Sequence, residues 1–150
     1  IIDAGLMLTK NGPKVLEFNC RFGDPEAQAV LPLVKTDLLE LLIACEQKKL
    51  ADKKLEVEDG ACVCVVLASE GYPEKPLTGR EITGLEKVDT AVFHAGTEVK
   101  DGKVLTKGGR VLGVTAVGAN LRAARRKAYA EIEKIHFDGM QFRKDIGEIQ

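Results

Sequence analysis

The sequence lacks the excess of one charge sign that marks many polyanion-binding proteins. It has 22 lysines and arginines and 23 acidic residues, which gives a formal net charge of −1. Proteins that hold nucleic acid through non-specific charge normally show a strong basic excess. No apolar run approaches the roughly 20 residues that a membrane-spanning helix needs. We therefore expect neither a nucleic-acid partner nor a membrane partner.

Cysteine is scarce, and its spacing matches no zinc site. Cys62 and Cys64 are separated by one residue rather than two, and no second pair lies nearby. Cys20 and Cys45 stand alone, each in an apolar pattern. The sequence thus predicts four reduced, buried thiols and a cytoplasmic protein.

The overall composition is typical of a globular protein. An apolar fraction of 45% over 150 residues is enough for a hydrophobic core in one domain, or in one domain and part of another. The chain begins with Ile1 rather than methionine and enters a strand pattern at once. We therefore expect a piece of a longer polypeptide.

The turn and periodicity signals predict an α+β fold with a mixed, mostly antiparallel arrangement of strands. Asn11-Gly12 and Asp101-Gly102 are hairpin turn signals. The predicted strands span residues 4–9, 14–22, 61–68, 81–83, 90–94, 98–100, 103–106 and 110–117. The predicted helices begin after Asp24-Pro25, at Leu38 behind a Thr36-Asp37 cap, and at Asn120. The run 61–68 reads as a buried central strand, and the charge-rich segment 47–59 reads as a boundary.

The stretch VLEFNCRFGDPE, residues 15–26, has an unusual polar face. Alternate side chains of a strand point the same way, about 7 Å apart. One face carries Val15, Glu17, Asn19 and Arg21, and the other carries Leu16, Phe18, Cys20 and Phe22. Glu17 and Asn19 offer the hard oxygen ligands that Mg²⁺ takes, and Arg21 suits a phosphate or carboxylate. The alternative is an edge strand whose polar face is simply solvated.

Three further features allow two interpretations each, and a fourth allows one. Asp24 and Glu26 either cap a helix or meet a substrate amine. Gly108-Gly109-Arg110 suits an anion such as a ribose phosphate, because glycine lets the backbone approach closely, but a turn with an exposed arginine is the alternative. His94 is a general base or a structural hydrogen-bonding residue. The basic cluster of residues 122–127 is interpreted as a solvated helix face.

Several of these motifs occur in one order that resembles a known family. The strand Glu17-Phe18-Asn19-Cys20-Arg21 resembles the E-x-N-x-R strand of ATP-grasp ligases. The longer EFNCRFGDPEAQ resembles the signature of phosphoribosylamine–glycine ligases, also called glycinamide ribonucleotide synthetases. SEGYP, VFHAGTEV, TKGGRVLGVTAVG and FRKDIG follow in the order of the final third of those enzymes. The resemblance covers essentially the whole chain.

The resemblance implies a reaction and a set of roles. Glycine's carboxylate attacks the γ-phosphate of ATP to give glycyl phosphate and ADP, and the amine of 5-phosphoribosylamine then displaces phosphate. Glu17 and Asn19 match the ligands of Mg²⁺ or Mn²⁺, and Arg21 matches the catalytic arginine that faces the transferred group. Asp24 and Glu26 match the glycine and phosphoribosylamine end of the site. Gly109 and Arg110 are expected at the ribose phosphate.

The resemblance also implies a domain organisation. Residues 1–55 are expected to end the C-terminal subdomain of an ATP-grasp domain, and residues 60–150 to form a small mixed α/β C-terminal domain. The remainder of the ligase chain would be the partner, and we expect the 150 residues alone to be inactive. The alternatives are another ATP-grasp carboxylate–amine ligase, a biotin-dependent carboxylase, or a non-catalytic module that retains the fold.

Overall fold

The computed structural model describes residues 1–148, and its helices and antiparallel ladders confirm the predicted α+β class. The strands are β1 (Asp3–Thr9), β2 (Gly12–Asn19), β3 (Ala61–Ala68), β4 (Ala91–His94), β5 (Thr97–Lys100), β6 (Lys103–Thr106) and β7 (Arg110–Gly118). The α-helices are α1 (Glu26–Val30), α2 (Leu38–Glu46) and α3 (Leu121–Ile132). In this described part of the chain, no helix is both long and apolar enough to cross a bilayer.

The two predicted hairpins form, and residues in or next to their turns have the positive φ angles that tight turns require. β1 pairs with β2 across a turn at Lys10 and Asn11, one residue before the predicted Asn11-Gly12, and Gly12 begins β2 with a φ of 88°. β5 pairs with β6 across Asp101-Gly102. Asp101 and Gly102 both have positive φ, at 50° and 75°, as a tight hairpin turn of two residues needs. β2 runs from Gly12 to Asn19, so the predicted strand 14–22 starts two residues too late and ends three residues too late.

The apolar side chains of the first hairpin are exposed. Leu16 and Phe18 are 65% and 68% exposed, and Leu6, Met7 and Leu8 on β1 are exposed as well. A two-stranded hairpin alone buries too little apolar surface to be stable in water. Its side chains therefore form an apolar surface that no other element within residues 1–148 buries.

The core lies between a three-stranded sheet and α3. The strand order is β3-β7-β4, with β7 in the centre. The run 61–68 is buried as predicted, but β3 lies at an edge of this sheet, so its predicted central position is wrong. The core side chains from both layers include Val65, Leu67, Val111, Val114, Ala124, Ala128 and Ile132. Each large aliphatic side chain among them contributes about 1.5–3 kcal/mol by leaving water.

Two of the three predicted helix caps are confirmed. The Asp37 side chain accepts hydrogen bonds from the backbone N–H groups of Leu39 and Glu40, and Asn120 accepts one from Ala123. Asp24 does not cap α1; Pro25 occupies that position without a side-chain cap bond. The Asp24 carboxylate instead binds side chains at the candidate functional site.

Two further expectations, for residues 81–83 and for the cysteines, are wrong. Residues 81–83 form only isolated bridges rather than a strand. Helix α2 fully buries only Ala44, while Leu38 and Leu41 are half-buried and Leu42 is exposed. Cys20 and Cys45 are exposed, Cys62 is half-buried and only Cys64 is buried. The exposed thiols lie on the hairpin segment and on α2, where an apolar sequence pattern is not matched by a packed neighbour.

Candidate functional site

A polar cavity of about 680 Å³ lies against the first hairpin and the turn that follows it. Its polar lining comprises Asp3, Glu17, Asn19, Arg21, Asp24 and Glu26. The structure therefore brings together every predicted site residue of the stretch 15–26. It also adds Asp3, which the sequence did not single out.

Asn19 links the two carboxylates on the paired strands. Its Nδ2 donates to Glu17 Oε1 and to Asp3 Oδ2, both at 3.2 Å. Asp3 lies directly opposite Asn19 in the ladder, so the two side chains share a face. The amide oxygen Oδ1 is thereby turned away from the carboxylates and, among the described residues, accepts no hydrogen bond from the protein.

Gly23 makes room for a third carboxylate. The residue is buried, and a Cβ built on it would collide with the carboxylate of Glu26 and lie 3.3 Å from Asp3 Oδ2. Glu26 and Asp3 therefore approach the same point from two sides. The acidic group of the cavity consists of Asp3, Glu17 and Glu26, with the Asn19 amide between two of them.

This arrangement of donors fits a hard divalent cation. Carboxylate and amide oxygens are the ligands that Mg²⁺ accepts, usually one or two from the protein with phosphates and water completing the shell. Glu17 and Asn19 carry such donors on one strand, and a half-turn of the Asn19 amide would bring Oδ1 to the side of the Glu17 carboxylate that Nδ2 now occupies. Within residues 1–148, no group of three or more His, Cys, Asp or Glu side chains is arranged to hold a metal by itself.

Arg21 supplies the positive charge of the cavity. It lies two residues beyond the end of β2, is exposed, and lines the same cavity as Glu17 and Asn19. Its Nη1 donates to the carbonyl oxygen of Phe22 at 2.8 Å. A guanidinium has five donors, so the group retains others for a phosphate or carboxylate.

Arg110 joins the second predicted cluster to the first. Its Nη1 donates to the carbonyl oxygen of Asp24 at 2.7 Å, and its Nη2 donates to Asp24 Oδ2 at 3.1 Å. Gln28 Nε2 donates to the other carboxylate oxygen, Asp24 Oδ1, at 2.8 Å. Both oxygens of Asp24 are therefore held, one from α1 and one from the start of β7.

Gly109 has no space around it for a side chain. A Cβ on Gly109 would collide with the Tyr72 ring. Ser69 braces the same turn, since its hydroxyl donates to the carbonyl oxygen of Gly108 and its N–H donates to that of Gly109. The turn thus sets the position from which Arg110 reaches Asp24.

A second cavity lies on the other side of the Gly23-Asp24 turn. It measures about 620 Å³ and opens between α1 and β4. Its lining comprises Phe22, Gly23, Asp24, Ala27, Gln28, Leu31, Pro32, Phe93 and His94. His94 Nδ1 lies 3.1 Å from the Thr97 hydroxyl oxygen, which fixes the ring on β4. Neither His94 nor Gln28 was assigned a binding role from the sequence.

Two family models match the chain. The C domain of phosphoribosylglycinamide synthetase matches residues 62–149, and the ATP-grasp (A) domain of the same enzyme matches residues 1–27. The first match spans more than half of the chain, including β3 to α3. The second includes the whole first hairpin and the turn with Asp24.

Similar proteins carry consistent names. The chain is 59% identical over 97% of its length to a phosphoribosylamine–glycine ligase of Caldanaerobacter subterraneus, and covers 35% of that protein. It is 56% identical over 98% of its length to the chicken trifunctional purine biosynthetic protein adenosine-3, of which it covers 15%.

A solved structure matches as well. The crystal structure of the Thermotoga maritima phosphoribosylamine–glycine ligase superposes with a TM-score of 0.77 at 40% identity, over 96% of this chain and 36% of that one. The chain thus spans about a third of the single-function relatives it matches.

Proposed function

The chain belongs to the phosphoribosylglycinamide synthetase family, and we propose that it supplies one side of the active site of an ATP-dependent ligase. The ligase joins glycine to 5-phosphoribosylamine in purine biosynthesis and gives glycinamide ribonucleotide, ADP and phosphate. The observation that carries this proposal is the convergence of Glu17, Asn19, Arg21 and the Asp24 turn on one polar cavity. A merely solvated strand face has no need for that convergence.

Glu17 and Asn19 are the proposed ligands of Mg²⁺ or Mn²⁺. The Asn19 amide lies beside the Glu17 and Asp3 carboxylates through its nitrogen, and with a cation bound it would turn so that Oδ1 faces the ion instead. Asp3 adds negative charge to the same cavity and holds the Asn19 amide in place. When bound, the cation would offset the charge of the ATP phosphates during transfer.

Arg21 is the proposed catalytic arginine. In the first step a carboxylate oxygen of glycine attacks the γ-phosphorus, the bond from that phosphorus to the bridging oxygen breaks, and ADP leaves. Charge is spread over the transferred oxygens, and a guanidinium held on the same cavity stabilises it. The free donors of Arg21 are available for this contact.

Asp24 and Glu26 are proposed to orient the second step. The nitrogen of 5-phosphoribosylamine attacks the carbonyl carbon of glycyl phosphate, the carbon–oxygen bond to the phosphoryl group breaks, and phosphate leaves with the proton that the amine loses. A carboxylate beside the amine orients its lone pair through the N–H groups. Arg110, presented by the Gly109 turn, is proposed to carry the positive charge toward the acceptor's phosphate.

The remainder of the ligase chain is the proposed partner of the first hairpin. We assign residues 1–55 to the end of an ATP-grasp domain and residues 60–150 to a C-terminal domain, in a cytoplasmic enzyme. The exposed apolar face of β1 and β2 supports this assignment, because it needs a neighbour to be stable. The adenine of ATP would be bound by that neighbour.

A chimeric ligase tests the proposal. These 150 residues would replace the corresponding third of the Caldanaerobacter ligase, with which they share 59% identity. With no other nucleophile added, we expect the chimera to release ADP over many turnovers only when glycine and 5-phosphoribosylamine are both present, and the 150 residues alone to show no turnover. A folded chimera that activates another carboxylate in preference to glycine, or that turns over faster with another sugar amine than with 5-phosphoribosylamine, would contradict the proposal, as would robust turnover by the 150 residues alone.

A further inference from the structure

The two cavities at the Gly23-Asp24 turn meet at one carboxylate. Gly23 and Asp24 line both of them, whereas Glu17 and Asn19 line only the first and His94 lines only the second. A molecule in the second cavity would therefore reach the proposed phosphoryl-transfer side only at Asp24. We call the second cavity the β4 groove.

The β4 groove contains a polar atom without a partner. Gln28 Oε1 is shielded from solvent and, among the described residues, accepts no hydrogen bond, while its Nε2 is bound to Asp24. Buried polar atoms in folded proteins are nearly always paired, with protein, water or ligand. A small cavity of about 20 Å³, also lined by Gln28, His94 and Arg110, lies beside it. This volume is enough for one water molecule or one small polar group.

The walls of the groove suit the carbon face of a sugar. Phe22 and Phe93 are apolar and face the same space as Leu31 and Pro32. Ligand sites of this size are mainly apolar with a few placed polar groups. Here the polar groups are the Asp24 carboxylate, the Gln28 amide and the ring of His94, whose Nδ1 is already engaged by Thr97.

Charge is concentrated at the end of the groove that Asp24 lines, where its carboxylate pairs with the Arg110 guanidinium of the adjoining small cavity. The carboxylate of Asp24 lies at the junction with the first cavity. The guanidinium of Arg110 lies behind it, 39% exposed and bound to Asp24 through only two of its donors. A sugar with an amine and a phosphate matches both charges.

We propose, on the basis of the proposed ligase function, that the β4 groove binds the amine-bearing sugar phosphate and that His94 and Gln28 position it for the amine to meet the acyl phosphate at Asp24. His94 Nε2 contacts a hydroxyl of the sugar, since Nδ1 is held by Thr97. Gln28 holds Asp24 Oδ1 and offers Oε1 to the acceptor or to a water beside it. The acceptor and ATP thus approach the turn from opposite sides.

Replacement of His94 in the chimeric ligase tests this inference. Hydroxylamine replaces the sugar amine in one assay and traps glycyl phosphate as glycine hydroxamate, which measures the ATP and glycine half alone. We expect His94→Ala to leave hydroxamate formation within about twofold of the parent. We expect the same variant to raise KM for 5-phosphoribosylamine about tenfold, the effect of one lost hydrogen bond.

Two further variants make the result specific. His94→Gln keeps a hydrogen-bonding group near the position of Nε2, so its KM for 5-phosphoribosylamine should return most of the way to that of the parent. If His94 had only a structural role, this substitution would not restore KM selectively. The exposed His136 lies far along the chain next to Asp138, and His136→Ala should change neither assay.

The outcomes separate the two proposals. An unchanged KM for the sugar amine in His94→Ala would overturn the groove assignment and leave the ligase function intact. Equal loss of hydroxamate formation and of the full reaction in both His94 variants would also overturn it, because the residue would then serve the ATP side. A parent chimera that forms no hydroxamate would contradict the ligase function and, with it, this inference.

Discussion

Asn19 is the residue whose environment most clearly separates a binding site from a solvated strand. Its amide nitrogen is shared by the carboxylates of Glu17 and Asp3, each 3.2 Å away. An asparagine on a solvated face gains little from such fixed contacts, because water satisfies it at no cost in side-chain entropy. These contacts hold the amide at the cavity beside two carboxylates, where a hard cation would meet carboxylate and amide oxygens together.

Gly23 is a second residue that the site requires. We expect Gly23→Ala to displace Glu26, because the added Cβ would collide with the Glu26 carboxylate. Because the displaced atoms are the far end of a flexible, exposed side chain, the change should lower the free energy of unfolding of the chain by no more than about 0.5 kcal/mol. Urea denaturation would measure it.

A double-mutant cycle identifies the cause of the Gly23→Ala effect. In a Glu26→Ala background the added methyl group meets no carboxylate, so most of its cost should disappear. An undiminished cost in that background would place the strain elsewhere in the turn.

At the residue scale, the sequence predicted the polar face of β2 but not its partner on β1. Continuing the Leu6–Val15 pairing without a break would set Asp3 opposite Phe18. A β-bulge between Gly5 and Leu6 shifts the register, so that Asp3 lies opposite Asn19 instead. Since one shifted residue moves every later side chain to the other face, Asp3 was not identifiable from alternation alone.

Helix α3 and the loop before β4 are held together by one buried carboxylate. Glu131 accepts hydrogen bonds from Lys134 Nζ at 2.8 Å and from the backbone N–H of Asp89 at 2.7 Å. The bond from Lys134, followed by that from Asp89, holds the pKa of Glu131 below its ordinary value. This contact links the helix to the strand that carries Phe93 and His94.

The lowered pKa of Glu131 predicts a pH dependence of stability. A carboxyl whose pKa is lowered by folding stabilises the protein fully above its ordinary pKa of about 4.3, and loses that contribution as pH falls through the folded value. The urea midpoint of Glu131→Gln should therefore lie below that of the parent at pH 7, and the gap should shrink below about pH 4.3.

The neighbouring acid provides the control for this measurement. Glu133 is exposed one residue past the end of α3, and Glu133→Gln should leave the midpoint unchanged at every pH. A gap between the parent and Glu131→Gln that stays constant down to pH 3 would show that the carboxylate charge is not responsible.

At the element scale, the sequence predicted those features that depend on residues adjacent in the chain. The two hairpins, the Asp37 and Asn120 caps and the buried run 61–68 were correct, because each depends on residues adjacent in sequence. The position of β3 at a sheet edge and the partial exposure of α2 depend on which distant elements pack together. Hydrophobic periodicity does not contain that information.

At the scale of the whole molecule, the site lies where the two family-matched segments meet. The hairpin and its turn supply Glu17, Asn19, Arg21 and Asp24, and β7 supplies Arg110, which reaches Asp24 across 86 positions of sequence. The sequence placed these residues in two separate clusters. Their contact follows from tertiary packing, and it makes the Asp24 turn common to both halves of the proposed reaction.

The proposed ligase function requires the β2 face to bind the cation and phosphates of ATP. The most direct test compares Glu17→Gln with Glu86→Gln in the chimeric ligase, because Glu86 is exposed on a remote turn and lines none of the cavities described above. ADP release would be measured against Mg²⁺ concentration. The proposed function predicts that Glu17→Gln lowers kcat by about 100-fold or more and raises the Mg²⁺ requirement, whereas Glu86→Gln matches the parent. Full activity with an unchanged Mg²⁺ dependence in Glu17→Gln would contradict it.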